Sequence, residues 1–121
     1  WMMQSNIYAR VAPLLKEIPF NCESKQLESF LNLYHSGNII YPGAMHRELR
    51  LPIKEVYHIL EAGTSAGVLK PILEIYCPKC QRFSGLRYEH IFDIPDEAIC
   101  IHCDDRIERA AEHAIVVYKV L

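Results

Sequence analysis

Hydrophobic positions recur at helical spacing in the first half of this chain and in strand-like runs in the second. Ile7, Val11, Leu14, Leu15 and Ile18 share one face of a helix over residues 5–18. Pro13 falls inside that stripe, so the helix is kinked or begins there, and Pro19 ends it. Leu27, Phe30, Leu31 and Tyr34 repeat at i, i+3, i+4, i+7 and predict a second helix over 24–36, with Ser24 as N-cap and Gly37-Asn38 as its stop. Ile39-Ile40-Tyr41 reads as a short extended piece. Pro42 can open a helix at its first position, with Met45 and Leu49 on one face, and Leu51-Pro52 breaks it. Pro52 can restart a helix carrying Ile53, Val56, Tyr57 and Leu60, which Gly63 and Gly67 bring to a frayed end.

The second half changes period. Residues 68–76 are rich in β-formers and predict a strand, and Pro71 within it implies an edge or a bend. Phe83, Leu86, Tyr88, Ile91, Phe92 and Ile94 suit the arms of a β-hairpin, with Asp93-Ile94-Pro95-Asp96 as a turn. Residues 105–112 suit one or two helical turns, and the run 114–121 is the strongest strand signal in the chain. No Gly/Ser linker, low-complexity tract or internal repeat interrupts these elements. The expected fold class is α+β.

The chemistry is concentrated in cysteine. Of five cysteines, four fall in two C-x-x-C pairs, Cys77/Cys80 and Cys100/Cys103, separated by 19 residues. That spacing belongs to four-cysteine zinc sites. Two residues between cysteines form a tight turn that aims both sulfurs at one point, and two such knuckles complete a tetrahedral shell of four thiolates. A shell with no open position makes the ion structural rather than catalytic, so one structural Zn²⁺ is expected on Cys77, Cys80, Cys100 and Cys103. A redox C-x-x-C occurs once per domain, at a helix start after a strand, and fits a double motif poorly. His90 and His102 are the alternative nitrogen ligands and are expected on the surface. Cys22 stands alone beside Phe20 and is expected to pack as a small hydrophobe. Trp1 is assigned no role.

The hairpin arms that carry Phe83, Leu86, Tyr88, Ile91, Phe92 and Ile94 are expected to cover the metal. The segment 77–112 resembles a zinc ribbon, with Cys-Pro-Lys-Cys and Cys-Ile-His-Cys as its knuckles. Many ribbons place glycine after each knuckle to take a positive φ; here Gln81 and Asp104 stand there. Residues 24–76 resemble a winged helix-turn-helix: a helix, an extended Ile39-Ile40-Tyr41, a short helix over 43–50, a tight Leu51-Pro52 turn, and a longer helix leaving through Ala66-Gly67-Val68-Leu69. Met45, Leu49, Ile53, Val56 and Leu60 match its core positions. The two resemblances imply three segments: an N-terminal helix and winged helix over 1–76, a ribbon over 77–112, and a C-terminal strand over 113–121 pairing with strand 68–76. The ribbon would be inserted at the tip of the wing, and the last strand would bury Ile115, Val117 and Val120. Two tandem modules are the alternative.

Charge narrows the function. The chain holds 13 Lys and Arg against 15 Asp and Glu, a net charge of −2, with no basic run. Binding nucleic acid by counterion release needs a dense cationic surface, so DNA is not the favoured partner. In a DNA-reading winged helix, residues 53–64 would enter the groove, and Arg47, Arg50 and Lys54 are the candidate contacts. Glu55 and Glu61 oppose them on that helix, and six carboxylates from Asp93 to Glu108 make the ribbon acidic. A protein partner is therefore expected instead, with Tyr41, Tyr57, Tyr76, Tyr88 and Tyr118 offering aromatic area either to an interface or to the core. A homodimer through the first helix stays open.

No Gly-rich phosphate loop, H-E-x-x-H or nucleophile elbow is present, and His35, His46 and His58 fall on separate predicted helices. The reading is a non-enzymatic docking subunit or regulator, working in a nucleic-acid-handling complex, with a sequence-specific DNA-binding regulator as the alternative. Arg10, Lys16 and Glu17 interrupt any apolar leader, and no run reaches the about 20 apolar residues of a membrane span. A cytoplasmic protein is expected, without a membrane partner.

Overall fold

The computed structural model describes residues 7–15 and 24–121, with the side chains of Leu15 and Ser24 excepted. Cys22, Ile18, Pro19 and the capping side chain of Ser24 lie outside the described residues. The fold is α+β. Helices α1 (Ile7–Val11), α2 (Ser24–Leu31), α3 (Pro42–Leu49) and α4 (Ile53–Ser65) combine with strands β1 (Ile39–Ile40), β2 (Leu69–Cys77), β3 (Arg82–Tyr88), β4 (Glu97–Ile99), β5 (Arg106–Glu108) and β6 (Ala114–Val120). One sheet has the order β1-β6-β2-β3 and a second pairs β4 with β5. The chain divides into two compact units, residues 1–70 with 118–121, and residues 71–117.

In the first unit, several helix boundaries have a chemical cause. Pro13 lacks the N–H an α-helix needs, and α1 gives way to a 3-10 turn, Ala12–Leu15. The second helix is shorter than its periodicity implies. It ends at Leu31, because the bonds Leu33 N–H to Phe30 O and Tyr34 N–H to Leu31 O tighten the chain to i→i−3 spacing. Tyr34 still reaches Phe30, ring centroids 5.3 Å apart. Pro42 occupies the first turn of α3, and Arg50 closes that helix in the left-handed region at φ 54°. Pro52 is the N-cap of α4.

The end of α4 corrects the expectation of fraying. Val68 N–H bonds to Gly63 O and Gly67 N–H to Thr64 O, with Gly67 at φ +76°. That is a Schellman closure, which uses Gly67 for its positive φ and satisfies two otherwise orphaned carbonyls. Arg10 Nη2 adds a bond to Ala66 O at 3.0 Å, a cation at the negative end of the helix. Gly63 lies inside the helix, buried, for a packing reason. A Cβ there would stand 2.4 Å from Leu69 Cδ1 and 2.9 Å from Leu69 Cγ. Gly63→Ala gains about 1 kcal/mol of helix propensity, but forces a buried Leu69 aside at about 1–3 kcal/mol. We expect net destabilisation, read as a lower midpoint in urea.

The core of this unit gathers Leu27, Leu31, Ile40, Met45, Leu60 and Tyr118, all buried. Tyr118 arrives from β6, which pairs with β1 through Ile39↔Lys119 and Ile40↔Tyr118. Further ties are Gly37 N–H to Val120 O, Val120 N–H to Asn38 O and Leu121 N–H to Val68 O. The Tyr118 hydroxyl donates to Glu61 Oε1 at 2.7 Å. Burial first, and then the carboxylate of Glu61, raise the Tyr118 pKa above its ordinary value. The stabilisation is therefore fully present below the unfolded pKa of about 10. It is lost as pH rises beyond that, because the unfolded chain ionises first. Urea melts at pH 8 and at pH 10.5 should show this loss, and Tyr118→Phe should reduce it.

In the second unit, β2 and β3 form an antiparallel hairpin registered Leu73↔Tyr88, Glu74↔Arg87, Tyr76↔Phe83 and Cys77↔Arg82, with an irregularity between Glu74 and Tyr76. β2 is an inner strand, so of the edge or bend that Pro71 implies, the edge is not taken. Pro71 lies ahead of Leu73, where the register with β3 begins. Residues 105–112 also differ from expectation. They split into β5 and a 3-10 turn, Ala110–His113, since Arg106, Ile107 and Glu108 pair with Ile99, Ala98 and Glu97. Ile115 is exposed, while Val117, Tyr118 and Val120 are buried. Of Tyr41, Tyr57, Tyr76, Tyr88 and Tyr118, the last is a core residue and the other four are half-buried.

Candidate metal centre

Both knuckles are built the same way. Cys77 ends β2 and pairs with Arg82, the first residue of β3, so the C-x-x-C turn closes a hairpin. Gln81 N–H bonds to Cys77 O at 2.9 Å. In the second knuckle Asp104 N–H bonds to Cys100 O, and Cys100 N–H bonds to Asp105 O, each at 3.0 Å, between β4 and β5. Gln81 and Asp104, the two positions where ribbons favour glycine, take φ 57° and 61°. Neither departure from glycine prevents the turn.

The two hairpins bring all four sulfurs together: every pair of Sγ atoms lies within 4.8 Å. Cys77 to Cys103 is 3.7 Å and Cys80 to Cys100 is 3.8 Å. A disulfide needs about 2.05 Å. Four thiolates about 2.3 Å from a central zinc ion stand about 3.8 Å apart along a tetrahedron's edges. The donor set thus fits a tetrahedral cation. Cys77 and Cys100 are buried, and Cys80 and Cys103 half-buried. Ile75, Ala98, Ile107 and Ala110 surround them as a small apolar cluster, joined by partly buried Leu86, Tyr88 and Ile94. Ile91 and Phe92, expected to cover the site, are instead exposed, Phe92 at 95%. They sit in a 3-10 turn, Ile91–Asp93, which directs them away from the cluster.

Protonation argues in the same direction. Burial opposes a thiolate at Cys77, but the backbone N–H groups of Cys80 and Lys79 and the neighbouring sulfurs bring its pKa down to about 7. Cys80 is raised by burial and by the sulfurs of Cys77 and Cys100. At Cys103 the Asp105 N–H favours the thiolate, yet burial and the other three sulfurs push it up to about 12. One negative charge forms readily and the next are opposed. A divalent ion at the centre removes that opposition.

His90 and His102 are exposed and stand outside the sulfur group. Arg47 on α3, Arg50 at its C-cap and Lys54 on α4 are all exposed. His46 Nδ1 hydrogen-bonds to Leu51 O between the two helices.

One arrangement beside the centre was not anticipated. Glu74, 1% exposed, holds Arg87 Nε at 2.7 Å and accepts the Gly85 N–H at 3.3 Å. The available signal was a carboxylate set in the apolar run Ile72-Leu73-Glu74-Ile75. Its partners depend on the register of β3, which the sequence pattern does not carry.

No protein-family model, curated protein or solved structure matches the chain. Among the described residues, no helix is long and apolar enough to cross a membrane.

Proposed function

We propose that residues 77–112 form a zinc ribbon, with Cys77, Cys80, Cys100 and Cys103 holding one structural Zn²⁺, joined to a winged helix-turn-helix. The observation that carries this is the pair of cross-knuckle distances, 3.7 and 3.8 Å, matched to a tetrahedron of thiolates. The ion would organise the knuckles and supply no reaction, since four protein sulfurs leave it no open position. The chain then acts as a non-enzymatic docking subunit or regulator for a protein partner, in a nucleic-acid-handling complex. Exposed Ile91, Phe92, Ile99 and Ile101, all on the second unit, supply apolar contact area. Thiolate ligation suits a reducing compartment, the cytoplasm.

A sequence-specific DNA-binding regulator is the second reading. The exposure of Arg47, Arg50 and Lys54 at the α3–α4 junction favours it, and the net charge of −2 opposes it. Two measurements test the proposal. Elemental analysis of purified protein should return one zinc per chain, and a value near zero for a folded protein overturns the metal assignment. Gel-shift titration at low and moderate salt should show no duplex binding; tight, salt-sensitive binding lost in Arg47→Ala and Arg50→Ala would establish the DNA reading instead.

A further inference from the structure

The geometry points to Glu74 as a positioning residue of the metal centre, a carboxylate that touches no sulfur but seats the second knuckle against the first hairpin. The inference rests on the zinc reading above. Glu74 is buried on β2 within an otherwise apolar stretch, where an aliphatic side chain would be the cheaper occupant. Both its oxygens are engaged with β3: Oε1 with the Arg87 guanidinium and Oε2 with the Gly85 N–H. The second bond fastens the chain where it is irregular, because Gly85 sits at φ +86°, a conformation open to glycine and costly for other residues.

That irregularity is where the second knuckle rests. Ser84 O accepts the N–H of Ile101, the residue after Cys100, at 3.3 Å. The Ser84 hydroxyl is itself tied down by the Leu86 N–H at 3.2 Å. A Cβ on Gly85 would stand 3.1 Å from Ile101 Cδ1, so the absent side chain is the seat for Ile101. The line of contact therefore runs from Glu74 through Gly85 and Ser84 to Ile101, one peptide from a ligand. Arg87 holds the buried carboxylate in place while its own side chain remains 46% exposed. Glu74 thus fixes how the Cys100 knuckle approaches the Cys77 knuckle, and with it how firmly an ion is retained. Residues bonded directly to a metal ligand typically alter metal affinity by about 10–100-fold, and the low end of that range is the effect expected of a partner one contact further out.

The test is zinc release from the full chain to a colorimetric chelator, with cobalt substitution to report geometry. Glu74→Ala should release zinc at least about 10-fold faster than wild type and change the cobalt d–d bands. Glu74→Gln keeps an oxygen for the Gly85 N–H but loses the charge facing Arg87, and its rate should fall between the two. Gly85→Ala leaves Glu74 intact and displaces Ile101, and should resemble Glu74→Ala. Val117→Ala, a buried position in the same unit on β6, outside the β2–β3 hairpin that carries this line of contact, controls for general loss of stability. Compared at equal distance below its melting temperature, it should release zinc at the wild-type rate with unchanged bands. The proposal is overturned if Glu74→Ala stays within twofold of wild type, or if Val117→Ala accelerates release equally. A wild-type chain that holds no zinc at all defeats the underlying zinc reading, and is told apart by the stoichiometry measured before release begins.

Discussion

On the proposed zinc assignment, stripping the ion from the protein, or replacing Cys100 with serine, is expected to unfold residues 71–117. The reason is the small size of the apolar cluster around the cysteines. Apart from the sulfurs, its buried members are Ile75, Ala98, Ile107 and Ala110, two of which are alanines. β4 and β5 have three residues each, and a two-stranded sheet of that length does not persist alone. Burying a Leu- or Ile-sized side chain contributes about 1.5–3 kcal/mol, while fixing each residue's backbone costs about 1–2 kcal/mol. A structural zinc contributes on the order of 10–16 kcal/mol in small domains, enough to supply the stabilisation that this cluster lacks if the proposed ion is bound. Cys100→Ser leaves three sulfurs at a buried position. Amide NMR of the chelated protein or of the variant should show resonances of 71–117 collapsing to unfolded positions. Persistent dispersion with less than a tenth of an equivalent of zinc would contradict this account.

The next largest effect is expected at Tyr118. Its side chain is 1% exposed and fills the core of the first unit beside Ile40 and Tyr57, with the Tyr57 ring 6.4 Å away. Tyr118→Ala removes a whole aromatic ring and leaves a cavity, at about 3–5 kcal/mol. A small domain is stable by only about 5–15 kcal/mol, so this variant should melt far below the wild type. Tyr118→Phe keeps the ring and loses the hydrogen bond to Glu61, whose carboxylate is exposed and can rehydrate. It should cost only about 0.5–1.5 kcal/mol. Chemical denaturation of both variants separates packing from hydrogen bonding: similar losses would mean the hydroxyl, not the ring, dominates.

The comparison of these two sites shows what a linear pattern can carry. The cysteine quartet was legible because its spacing is local within each knuckle and its chemistry is specific. The helix starts at Pro42 and Pro52 were legible because proline acts on its own backbone. Gly63 was misread because its cause is Leu69 pressing on it from the next element, a contact set by how the chain turns after α4. Residues 105–112 carry a weak helical period, but Ile107 faces the sulfurs only when Arg106 to Glu108 pair with Glu97 to Ile99, and cross-strand pairing overrides local propensity. Phe92 was assigned to the metal's cover because apolar residues are expected inside, a rule that fails in one direction: folded surfaces keep much apolar area. Glu74 was passed over altogether, since the meaning of a buried carboxylate lies in partners 11 and 13 residues away.

The division of the chain has a consequence for its synthesis. The first unit draws its helices from residues before 71 and its closing strand residues from 118–121. A ribosome working at about 5–20 residues per second spends about 2–9 s making the intervening stretch. During that interval the nascent helices wait with Ile40 and Leu60 uncovered, exposed to any chaperone that recognises aliphatic surface. The cysteine-bearing stretch is made before Tyr118, so in birth order the four sulfurs precede the residue that closes the helical core.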